Sequence, residues 1–103
     1  MRNVVLICLD TVRKDFFDEY ASRLTARADV TFENCRAASS WSVPSHASMF
    51  TGELPSDHGV HDYQRSFQTL ETHDTFMGDL EEHYTTGVSA NVWAGPAFAF
   101  DEL

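Results

Sequence analysis

The chain has 103 residues, 43% of them hydrophobic and 13% aromatic, which is the size of one domain with enough apolar mass for a core and argues against disorder over most of the length. Its formal net charge is −9, so the basic footprint of a nucleic-acid-binding protein is absent. No apolar run reaches the length of a membrane-spanning helix. The first apolar run is short, ends in Asp10 and lacks the small-residue cleavage site of a secretory signal, which predicts a cytoplasmic location.

The cations are unevenly used, with six Arg and only one Lys, Lys14. An acid excess with scarce Lys fits a halophilic protein, because high salt screens the self-repulsion. It also fits an ordinary acidic protein whose charge aids solubility. Cys8 and Cys35 are not at metal-knuckle spacing, and both are expected to be small buried hydrophobes.

Taken in chain order, residues 3–9 (Asn-Val-Val-Leu-Ile-Cys-Leu) form a nearly continuous apolar run, as in a strand buried on both faces. Residues 12–27 place Phe16, Phe17, Tyr20 and Leu24 at helical spacing. Residues 30–36 alternate in the manner of a second strand. Ser42-Val43-Pro44 opens a short helix, with Pro44 in the first turn and Thr51-Gly52 at its end. Residues 53–71 read as an extended loop and 72–84 as a helix weakened by Gly78. Residues 85–93 read as a third strand, and the last ten residues as loop. The alternation predicts an α/β fold with a mainly parallel sheet flanked by helices. No internal repeat or linker divides residues 1–103. Three strands would leave exposed sheet edges, through which self-association is expected.

Two segments carry candidate chemistry. Asp10 closes the first predicted strand, at the end where open α/β sheets bind ligands, and a carboxylate there suits a hard cation. Asp is also a favoured helix cap. Ser42 stands where a Pro-containing helix begins, among free backbone N–H groups that favour an anion. That placement suits a nucleophile acting on a sulfate or phosphate ester, and it equally suits plain N-capping.

Together the segments resemble the N-terminal region of sulfatases in the alkaline phosphatase superfamily. The resemblance rests on Asn3 to Asp10, on Ser42-Val43-Pro44-Ser45-His46, on Phe50-Thr51-Gly52 and on Leu54-Pro55-Ser56-Asp57-His58-Gly59-Val60, in that order. It implies a partial alkaline-phosphatase-like domain that hydrolyses small-molecule sulfate monoesters. Asp10 and Ser42 would then be ligands of a divalent cation, calcium or magnesium, with Ser42 at the nucleophile position, which sulfatases convert to formylglycine. Arg13 falls near a family arginine and is read as supporting. The family's second acidic residue is Thr11 here, and the arginine of its modification motif is His46. His46 is therefore a candidate for contact with the nucleophile or the anion, and for carrying a proton. Unmodified Ser42 as a phosphate or phosphonate ester nucleophile is the alternative, and a non-catalytic module is a third reading. His58 is read as structural, and His61, His73 and His83 as solvated. The family's later ligands have no counterpart in these 103 residues, so the chain alone is expected to show little or no turnover.

Overall fold

A computed structural model describes residues 2–61 and 69–94. The chain divides into two units, Met1–Arg36 and Ala37–Leu103.

In the first unit, residues 2–9 adopt no regular secondary structure and are exposed, Val5 at 78% and Ile7 at 74%. Residues 30–36 are likewise irregular, with a turn at Glu33 and Asn34. An extended segment is stabilised as a strand only when a neighbour takes up its backbone N–H and C=O groups. These two apolar segments form no such ladder, and no strand is present among the described residues. The expectation of an α/β fold built on a mainly parallel sheet is therefore corrected, and the sheet edges proposed for self-association are not formed there. Cys8 and Cys35 are free and exposed rather than buried.

The helical periodicity of residues 12–27 yields two short helices, α1 (Lys14–Tyr20) and α2 (Ser22–Thr25). They part at Ala21, whose φ of −101° and ψ of 21° leave the helical region, although its N–H still reaches the Phe17 carbonyl at 2.8 Å. The rings of Phe16 and Tyr20 stack 6.2 Å apart, and Lys14 bridges Asp18 and Glu33. None of the residues of α1 or α2 is buried, so the apolar stripe read from the sequence is a helix face without a core beneath it.

The second unit holds the buried cluster. Helix α3 spans Ser42–Thr51. Val43, Ala47 and Phe50 recur at spacings of four and three, which puts them on one face. With Val60 they form the core, against which Trp41, Leu70, Phe76, Met77 and Trp93 pack. Val43 and Val60 are wholly buried, each worth about 1.5–3 kcal/mol relative to exposure. Pro44 sits within the first turn, where its missing N–H costs nothing. Gly52 ends the helix at φ 75°, and its N–H bonds the Ser48 carbonyl at 2.9 Å.

Residues 53–71 are not simply a loop. Helix α4 (Pro55–His58) starts on a proline with preset φ and stops at Gly59, φ 74°. Residues 62–68 of that range lie outside the described residues. In place of a helix over 72–84 there is one 3-10 turn, Thr72–Asp74, followed by further turns. Its ends are closed locally: the Glu71 N–H donates to Asp74 Oδ2 at 3.0 Å, and Thr75 Oγ1 donates to the Thr72 carbonyl at 2.7 Å. The chain then folds back so tightly that a Cβ on Gly78 would lie 2.8 Å from both His73 Cα and the Thr72 oxygen. The Phe76 N–H reaches the Phe50 carbonyl at 2.8 Å, fastening this segment to the end of α3. Residues 85–93 form no strand, and a 3-10 turn at Val92–Ala94 takes their end. Of the ten C-terminal residues expected to be loop, 95–103 lie outside the described residues. No helix is long and apolar enough to cross a membrane among the described residues.

Candidate functional site

Ser42 is the first residue of α3, not its cap. The cap position belongs to Trp41, extended at φ −145° and ψ 166°, with no side-chain capping bond. Local sequence explains the start: Pro44 falls in the first turn, where its missing N–H leaves no intrahelical bond unmade, and Trp41 packs against the core. Ser45 Oγ donates to the Ser39 carbonyl at 3.0 Å and ties the preceding loop to the first turn. The Ser42 hydroxyl thus stands half-buried at the end of the helix where backbone N–H groups favour negative charge.

Asn91 supplies a donor to it. Its Nδ2 donates to Ser42 Oγ at 3.1 Å. The amide cannot be turned round, because Oδ1 accepts the Trp93 N–H at 3.0 Å. Asn91 is itself held at the head of the Val92–Ala94 turn. Its N–H donates to Ser89 Oγ at 3.1 Å, and its carbonyl accepts from the Ala94 N–H at 3.0 Å. A rigidly oriented N–H therefore faces the serine oxygen, and Ser42 accepts there, so its own proton points away from Asn91. Negative charge developing on Ser42 Oγ would strengthen this bond. Sequence reading missed Asn91, which it placed inside a predicted strand. The usable signal was an Asn before Val92-Trp93, since Asn is a preferred cap.

His46 is buried and one turn into α3. Its Nδ1 lies 2.7 Å from the main-chain oxygen of Ser42. A carbonyl only accepts, so Nδ1 carries the proton. The ring also tilts against Phe50 at 6.2 Å. His46 therefore meets the backbone of Ser42, in the i−4 direction along the helix.

Asp10 lies in the first unit, at an exposed turn in which Thr11 adopts φ 63°. Thr11 Oγ1 donates to Asp10 Oδ1 at 3.3 Å. Asp10 does not cap α1; that position is Arg13, again without a side-chain bond. Arg13 makes a two-pronged contact with Asp15, at 3.1 and 2.8 Å, and lies 5.6 Å over the Phe16 ring. A groove of this unit, about 610 Å³ and lined by Ile7, Leu9, Val12, Phe17, Leu24 and Phe32 among others, includes no candidate site residue.

A hard divalent cation needs about six oxygen ligands. No group of three or more His, Cys, Asp or Glu side chains is positioned to hold a metal among the described residues. One exposed carboxylate with a neighbouring hydroxyl is not such a donor set, so the implied calcium or magnesium ion does not fit the described residues.

His58 is half-buried between α3 and Val60, with its ring engaged on both sides. His61 and His73 are exposed, as expected, and His83 is half-buried rather than solvated. Comparison with protein-family models, with curated proteins and with solved structures found no match to this chain.

Proposed function

We propose that this chain carries the nucleophile of a sulfatase-like ester hydrolase, with Ser42 attacking a small-molecule sulfate monoester. The motif order from Asp10 through Val60 supports the reading, and one contact carries it: the Asn91 amide N–H directed at Ser42 Oγ from a locked orientation. In the reaction, the oxygen of residue 42 loses its proton as it adds to sulfur, the bond from sulfur to the ester oxygen breaks and the released alcohol takes up a proton; water then frees the sulfate and restores residue 42. Asn91, and the positive end of the α3 dipole, would stabilise charge on the attacking oxygen or the transferred group.

A second reading is favoured by His46. The residue at the arginine position of the modification motif is buried against Phe50 and bonded to the Ser42 carbonyl. With that position occupied by a packed helix residue, Ser42 would stay unmodified and attack a phosphate or phosphonate ester directly. Peptide mapping across Ser42, on protein from its native cells, tests both. Oxidation of the serine to the aldehyde supports the sulfatase reading. An intact serine that is labelled by an activated phosphoryl reagent supports the phosphoester reading. An intact, unreactive serine contradicts both and leaves a non-catalytic module.

A further inference from the structure

We propose that His58 is an acid-sensitive clamp that holds α3, the helix bearing Ser42, against the corner at Gly59 and Val60. The two nitrogens of the ring have fixed roles. Nδ1 accepts the Val60 N–H at 3.0 Å, which a protonated Nδ1 cannot do. The ring is therefore neutral with its proton on Nε2, which lies 2.9 Å from Ser48 Oγ on α3 and donates to it. One imidazole thus bridges the middle of α3 to the first buried residue after α4. Val60 is wholly buried in the core with Val43, Ala47 and Phe50, so the corner cannot shift without disturbing the face on which α3 packs. Gly59 makes the corner possible through its left-handed φ of 74°.

A second proton on the ring would set an N–H at Nδ1 against the N–H of Val60. The bond is lost, and the corner must rotate away. The surroundings favour the neutral ring: burial lowers the pKa of His58 from the usual 6.5, and His61 lowers it further, while Glu53, Asp57 and the Pro44 carbonyl on α3 act in the opposite direction. The sign follows. The unfolded chain takes up a proton near 6.5, and the folded chain only at lower pH, so folding is favoured fully above 6.5. That contribution is lost as pH falls from 6.5 toward the folded-state value. The device stands independently of the chemistry assigned to Ser42.

The test is the full chain and its His58→Asn variant, whose side-chain oxygen replaces Nδ1 as acceptor but does not titrate. Ring nitrogen NMR should show the Nε2–H form of His58 at neutral pH and a midpoint below 6.5. Between 6.5 and that lower midpoint, the unfolding constant of the parent should rise relative to the variant, as pH falls, by up to about tenfold per pH unit. An Nδ1–H ring, a midpoint at or above 6.5, or parallel stability curves for the two proteins would overturn the proposal. If the variant does not fold, the ring spectrum of the parent decides alone.

Discussion

Asn91 donates its side-chain N–H to Ser42 Oγ at 3.1 Å, joining two residues 49 positions apart. This contact brings the end of one segment to the start of α3. It gives the serine a partner suited to negative charge on its oxygen.

Replacing Asn91 should therefore separate two effects. Asn91→Ala removes both the donor to Ser42 and the acceptor for the Trp93 N–H, and should cost about 1 kcal/mol of stability. Asn91→Asp keeps the acceptor and loses the donor. It should fold nearly as well as the parent, yet lower the rate of Ser42 labelling by an activated phosphoryl reagent by about ten- to a hundredfold. Equal labelling rates in the parent and Asn91→Asp would show that the contact has no part in reactivity.

Substitutions in the two units should differ sharply in cost. Phe50→Ala opens the buried cluster beneath α3 and should destabilise by about 3–5 kcal/mol. Leu6→Ala, in an exposed irregular segment, should change stability by no more than about 0.5 kcal/mol. Denaturant titration of both variants measures the contrast. A large loss for Leu6→Ala would place a hidden core in the first unit.

Two glycines should rank in an order opposite to their backbone angles. Gly52 has φ 75° with open space where a Cβ would go, so Gly52→Ala should cost about 1–2 kcal/mol from conformation alone. Gly78 has no positive φ, but its Cβ would meet main-chain atoms of Thr72 and His73 at 2.8 Å. Main-chain atoms cannot rotate away as a side chain can. Gly78→Ala should cost more, about 1–3 kcal/mol or above, read by the same titration.

What could be read in advance depended on how local each cause was. Helix α3 was legible because Pro44, Gly52 and the apolar spacing of Val43, Ala47 and Phe50 all act within one segment. The runs at 3–9 and 30–36 were misread because strand formation depends on partners distant in sequence, and apolar residues alone do not supply a ladder. Ser42 could be picked out as the head of a helix; an Asn before Val92-Trp93 signals a cap, but nothing local to residue 91 reports its contact with residue 42. Gly78 weakens the helical pattern of residues 72–84 because it marks a close approach of the chain to itself.

The cysteines test the exposed character of the first unit. Both should react with a thiol reagent without denaturant, because both are exposed. Cys8 should react slowly for an exposed thiol, since partial burial and the neighbouring Asp10 carboxylate raise its pKa. Asp10→Asn should speed its alkylation at constant pH by increasing the thiolate fraction. An unchanged rate would remove Asp10 as an influence on Cys8.

The most direct test of the central claim is the mass of the Ser42 peptide from native protein, before and after exposure to an activated sulfuryl or phosphoryl ester. The account predicts either an aldehyde at residue 42 or a covalent adduct there that Asn91→Asp diminishes. An unmodified Ser42 that gains no adduct, while other serines react equally or faster, would contradict its role as a nucleophile.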